Sequence, residues 1–214
     1  MDGEKIQLKM YKGYAKAARV VGTTYAHFRP SSASNPMDAA NRLADIKMTL
    51  NACDMKYSKP NVYGKSTWYG IFDGTQGQPF DYFNGIEGTF FVAAMQQLLP
   101  ILMVSCNRVI TIARPSMDTG PGAIGYGGDT EEGEIPLMQN WPCSMLQGSK
   151  GEKNDVGLPS EAKNPWFNVL VPYVDGVILR TADIITDDIG GRYKLTSAEL
   201  TDLGWRLTAQ QVRP

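Results

Sequence analysis

The last third of the chain constrains the fold most. Residues 166–172 form an apolar run, 176–180 read as a second strand, and 183–186 lead into Asp187-Asp188-Ile189-Gly190-Gly191. Residues 192–196 follow, and 203–208 close the pattern. Short apolar and β-branched stretches separated by Asp/Gly punctuation predict consecutive antiparallel strands joined by tight turns. Asp187-Asp188 ahead of two glycines caps a turn, because an aspartate bonds local amides and glycine supplies positive φ. Such a series predicts a small antiparallel β-barrel or sandwich without catalytic equipment, so function is expected in surfaces rather than in a pocket.

The chain has 214 residues, enough for one large domain or two small ones. A hydrophobic share of 43% permits a core, and an ordinary charged share of 20% excludes wholesale disorder. The net charge of −1 gives no global case for nucleic acid or membrane binding. Charge is uneven, however. Residues 1–60 carry 10 basic and 5 acidic side chains, whereas 61–140 carry 3 and 8. That layout suits head-to-middle contact between copies, and solvated faces explain it equally well. Three cysteines, Cys53, Cys106 and Cys143, cannot form a full disulfide set, which favours a reducing compartment and buried thiols. Residues 1–5 are polar, with no signal-like apolar core after them. The longest apolar stretch, 90–104, is broken by Gln96, Gln97 and Pro100 and is too short to cross a bilayer.

Residues 6–22 have helical spacing, with Lys9, Lys12, Lys16 and Arg19 between apolar positions and Gly22 as a stop. Residues 25–30 leave in an extended conformation imposed by Pro30. Residues 31–36 are a loop. Residues 38–49 fit a short helix, or a strand over 42–50. Strands are expected at 66–72 and 89–94, with an Asp73-Gly74 turn after the first. Segments 101–105 and 109–113 flank Cys106-Asn107-Arg108 as a hairpin or one bent strand. No internal repeat is apparent. This gives a mainly β (α+β) chain: 1–60 as an N-terminal helix and extended segment, and 61–214 as the β domain, with long arms at 116–140 and 147–165. The first arm holds a glycine- and acid-rich run over 116–134, and the second carries Lys150, Lys153 and Lys163.

Known chemistries fit poorly. Gly120–Gly125 matches G-x-G-x-x-G, but no strand leads directly into it and no helix follows. The single histidine, His27, lies in an extended aromatic segment where packing or interface duty is expected. One histidine and three scattered cysteines do not make a zinc site, and the acids over 129–134 lack calcium-loop spacing. No cofactor is expected. Arg108, Arg114, Arg192 and Arg206 are candidates for interface ion pairs. The basic helix suits DNA phosphates or an acidic protein surface. Two rival functions remain open. Trp68, Tyr69, Tyr82 and Phe83 offer stacking surfaces for carbohydrate, as in a spike or fibre module. Asp81 and Glu87 are the carboxylates that a cell-wall hydrolase would use.

Three segments together resemble virion structural proteins of tailed bacteriophages. They are Gly13-Tyr14-Ala15-Lys16-Ala17-Ala18 running to Phe28-Arg29-Pro30, Glu87-Gly88-Thr89-Phe90-Phe91-Val92-Ala93 through Arg114-Pro115, and residues 183–193 with 201–205. The last is similar to the barrels of head-completion, stopper and tail-joining proteins. The resemblance implies a non-enzymatic subunit of a homo-oligomeric ring at the neck, collar, adaptor or tail. Assembly would take place in the host cytoplasm, beside portal and tail partners, with non-specific DNA contact in a lumen. The contact residues expected are Lys9, Lys12, Lys16, Arg19, Tyr25, Phe28, Arg29, Asp129, Glu131, Glu132, Lys150 and Lys153.

Overall fold

The computed structural model describes residues 2–52, 64–115, 133–148 and 165–213. The chain begins with helix α1 (Gly3–Val21), whose first turn is capped by the Asp2 carboxylate accepting from the Glu4 amide. It stops at Gly22, whose amide donates to the Ala18 carbonyl. A Cβ there would lie 2.4 Å from that carbonyl oxygen and 2.8 Å from that of Met48, so glycine lets helix and sheet meet closely.

Twelve strands follow among the described residues: β1 (Thr23–Phe28), β2 (Arg42–Ala52), β3 (Thr67–Ile71), β4 (Tyr82–Gly85), β5 (Gly88–Ala94), β6 (Ile101–Cys106), β7 (Arg108–Arg114), β8 (Ile135–Gln147), β9 (Trp166–Val171), β10 (Ile184–Asp187), β11 (Arg192–Thr201) and β12 (Gly204–Arg213). They close into two antiparallel barrels of six. Around the first, the order is β1-β2-β3-β6-β5-β4; around the second, it is β7-β8-β9-β12-β11-β10. Adding six to each strand of the first ring gives the second, so the molecule is built twice on one plan.

The mainly β class with an N-terminal helix matches the sequence reading. The organisation differs from it. The first strand lies inside the segment read as helix and extended chain over 1–60, because the β-branched and aromatic run Thr23–Phe28 pairs with both β2 and β4. The choice between helix and strand over 38–49 resolves into both: a 3₁₀ turn at Ala39–Asn41, then β2. The two apolar segments around Asn107 are neither a hairpin nor a bent strand. They are the last strand of one barrel and the first of the next. Residues 176–180 are not a strand; they belong to the connection between β9 and β10, where Arg180 donates its amide to the Asp183 carboxylate. The Asp187 turn is as expected: its carboxylate accepts from the amides of Ile189 and Gly191 and from the Tyr193 hydroxyl. Most of both arms lies outside the described residues.

Alternation along β4 and β5 shows how the barrels join. Phe83, Phe90 and Val92 point into the first barrel, beside Tyr25, Met48, Ile101 and Met103. Their neighbours Tyr82, Phe91 and Ala93 point outward and share a second core with Trp141, Cys143, Met145 and the interior of the second barrel. The continuous apolar run over 90–94 therefore reflects a strand buried on both faces. Each such large side chain contributes about 1.5–3 kcal/mol by burial. Polar contacts fix the seam. The Tyr82 hydroxyl donates to the Pro142 carbonyl at 2.7 Å. The carbonyl of Ala33, in the β1–β2 connection, accepts from the Gln139 amide and the Trp141 indole.

Asn107, the single residue between the barrels, is bonded three times to β8. Its amide donates to the Cys143 carbonyl, its Nδ2 donates to the Met145 carbonyl, and its Oδ1 accepts from the Met145 amide. These three bonds fasten the one-residue joint to the second barrel.

Candidate functional site

The most built polar features are two matching clasps, one per barrel. Each lies immediately beyond the last rung of the seam joining the first and fourth strands, Phe28↔Tyr82 in one barrel and Ala113↔Ile184 in the other. In the first barrel, Arg29 donates Nε to Asp81 Oδ1 and Nη2 to Asp81 Oδ2, both at 2.8 Å. In the second, Arg114 makes the same fork to Asp183 at 2.8 and 3.0 Å.

The match extends to the backbone. Each aspartate accepts from the amide three residues before it, Gln78 or Arg180. Each arginine reaches a carbonyl of the crossing connection, that of Gln76 or Ile178. Each aspartate follows a residue in the left-handed region, Phe80 (φ 72°) or Ala182 (φ 76°). That residue exchanges main-chain bonds with the fifth strand in partnership with the aspartate: Val92 in one case, Leu195 in the other. Both arginines are followed by proline. Residues 72–81 align with 174–183 without a gap, matching Asp73-Gly74 to Asp175-Gly176 and Asp81 to Asp183. The internal repeat is thus real, and short.

One difference between the clasps bears directly on the carboxylate. His27 stands where the second barrel has Ile112. Its Nε2 lies 2.8 Å from Asp81 Oδ2, and its ring stacks on Phe83 at 4.7 Å. It is 2% exposed and Asp81 is 1% exposed. A carboxylate only accepts, so the imidazole proton sits on Nε2. Burial by itself would raise the Asp81 carboxyl, but bonds from Arg29, His27 and the Gln78 amide outweigh it and hold the group below the ordinary aspartate value. Asp81 in turn raises the Arg29 guanidinium above its usual range.

With both oxygens occupied by these donors, Asp81 has little capacity left to abstract a proton from a substrate. Glu87, the other carboxylate of the expected hydrolase pair, accepts from the Tyr25 hydroxyl at 2.9 Å. His27 makes no bond to a hydroxyl or thiol among the described residues. Beside this clasp a recess of about 280 Å³ opens between the barrels, lined by Arg29, Pro30, Phe80, Tyr173 and Asp175 among others.

The other expected site residues divide plainly. Tyr25 and Phe28 are buried in the chain's own cores. Tyr82 and Phe83, offered for sugar stacking, are fully buried, and Trp68 packs edge-on to Phe90, while Tyr69 is only half-buried. The arginines expected at interfaces pair within the chain instead: Arg114 with Asp183, Arg192 with Glu134, Arg108 with Asp188 and Arg206 with Glu199. Lys9, Lys12, Lys16 and Arg19 are exposed on α1 and form no ion pair among the described residues. Asp129, Glu131, Glu132, Lys150, Lys153, Cys53 and the G-x-G-x-x-G run lie outside the described residues. Burial pushes the thiols of Cys106 and Cys143 well above the ordinary range, so neither is a ready nucleophile. No helix among the described residues is long and apolar enough to cross a membrane, and none of their acids, histidine or cysteines cluster as metal ligands.

Large apolar side chains stand on the surface at defined places. Ile86 is 89% exposed in the β4–β5 turn, and Ile189 is 67% exposed in the equivalent β10–β11 turn. Leu8 is 49% exposed on α1. No family model, curated protein or solved structure matches the chain.

Proposed function

We propose that the chain is a structural subunit of a tailed-phage virion, one protomer of a ring in the portal-to-tail neck or the tail. The observation that carries this reading is the joining of two barrels through a shared apolar core, the Tyr82–Pro142 bond and the Ala33 strap. A ring subunit needs its parts held in one relation, because a closed ring demands the same relation between neighbours at every step. The buried ionisable groups serve the block itself: Asp81 and Asp183 are consumed in clasps rather than presented to a ligand. The exposed basic helix and apolar hairpin tips are surfaces suited to neighbours. Portal, adaptor and tail proteins are the expected partners, with DNA passing through a lumen, and no cofactor is required.

The test has two parts. Purified protein at high concentration is imaged in negative stain, and purified virions from infected cells are analysed by mass spectrometry. Rings, and the protein in particles, are the expected results. A chain absent from virions that never forms rings overturns the reading.

A further inference from the structure

The duplication offers a comparison inside one molecule. The turn between the fourth and fifth strands carries an outward isoleucine in both barrels. The sequences there are Asn84-Gly85-Ile86-Glu87-Gly88 and Asp187-Asp188-Ile189-Gly190-Gly191. Single exposed apolar residues are ordinary. An isoleucine at the tip of the corresponding hairpin in both barrels, each time beside an acid, is a repeated knob.

Both acids are engaged within the chain, but unequally: Glu87 accepts from the Tyr25 hydroxyl at 2.9 Å, whereas Asp188 makes a looser ion pair with Arg108 at 3.9 Å and stays 43% exposed. Val109 adds exposed apolar surface beside Asp188, which its amide approaches at 3.5 Å.

A surface of complementary character lies on α1. A shallow recess of about 300 Å³ is lined by Ile6 and Leu8 with Lys5, Lys9 and Lys12 around them. Glu4 is the helix's one acid, and it lies in the first turn. Resting on the subunit reading above, we propose that the Asp188-Ile189 tip of one copy docks on this recess of the next, Ile189 against Leu8 and Ile6, and Asp188 among the three lysines. The knob belongs to the second barrel and the recess to the helix on the first. The contact is therefore heterologous and repeats from copy to copy, closing a ring when the rotation permits. Opposite charge steers the encounter and fixes the register, while the apolar pair supplies burial.

The experiment uses full-length protein. Leu8→Cys and Ile189→Cys variants are prepared separately, mixed and treated with a short bismaleimide, and the joined peptides are identified by mass spectrometry. A parallel mixture pairs Leu8→Cys with Ile86→Cys. A cross-link between positions 8 and 189 of different chains is expected. Lys9→Glu and Asp188→Lys should each weaken association about tenfold, and together restore it. Cross-linking to position 86 in place of 189 overturns the assignment. So do assemblies that form normally yet give neither the 8–189 cross-link nor charge-swap rescue; these refute the contact and leave the subunit reading standing. Failure of the unmodified protein to associate at any concentration refutes the contact, and its presence or absence in purified virions then decides the subunit reading.

Discussion

Replacing Asp81 with alanine tests the clasp argument at its strongest point. Asp81 receives Arg29 Nε, Arg29 Nη2, the Gln78 amide and His27 Nε2, each at 2.8 Å. Arg29 is about one-third exposed, so its guanidinium regains water when the carboxylate goes, and its share of the loss is modest. His27 has no such recourse. A buried polar group left without a partner costs about 1–3 kcal/mol, and breaking a buried pair about 3–5. Asp81→Ala should therefore cost about 4 kcal/mol. Asp183 receives Arg114 Nε and Nη2 and the Arg180 amide, but no histidine. Asp183→Ala should cost about 2.5 kcal/mol on the same reasoning. Asp45, which pairs with Arg42 in full view of solvent, is the control, expected below about 1 kcal/mol. Urea unfolding followed by circular dichroism and tryptophan fluorescence measures all three. Trp68 reports on the first barrel, and Trp141, Trp166 and Trp205 report on the second. The reasoning is refuted if Asp81→Ala is no worse than Asp45→Ala, or milder than Asp183→Ala.

Other outcomes follow from the same contacts. Because the folded Asp81 carboxyl is held below its ordinary value, the unfolded chain takes up that proton first as pH falls. The stability it confers is full at neutral pH and is lost below the ordinary aspartate range, so Asp81→Asn should flatten the acid limb of urea midpoint against pH. Asn107→Ala should cost about 2–4 kcal/mol by orphaning the Met145 amide and carbonyl, and should expose the joint to limited proteolysis. Cys143, fully buried and with its thiol pushed far up, should resist maleimide in native protein and react only on unfolding, as peptide mapping would show. Ala182→Gly should raise stability by up to about 1 kcal/mol, since Ala182 is exposed and held at φ 76°; thermal melts check this.

The strands, the helix and the Asp187 turn were legible because their signals are local: alternation, spacing and turn chemistry. Their division between two closed barrels was not. Strands β4 and β8 carry weak local patterns, four residues in one case and Pro136 and Pro142 within the other, and closure into two rings depends on pairings distant in sequence. The duplication was written in Arg29-Pro30 and Arg114-Pro115, and in the gapless match of 72–81 to 174–183. Because few other residues are shared between the copies, the spacing stands out only once the clasps are seen in space. The same distance effect hid the His27–Asp81 pair, whose members lie 54 positions apart. The basic helix face was legible, since charge between apolar positions at helical spacing needs no partner to be noticed. The hairpin tips were not, because exposure of Ile86 and Ile189 is a property of the closed barrels.

The central claim is that this pair of barrels works by gripping copies of itself. Sedimentation velocity of the full chain, from dilute to concentrated solution, measures it most directly. Growth of a discrete species at a whole multiple of 23.5 kDa is predicted. A single 23.5 kDa boundary at every concentration would contradict it.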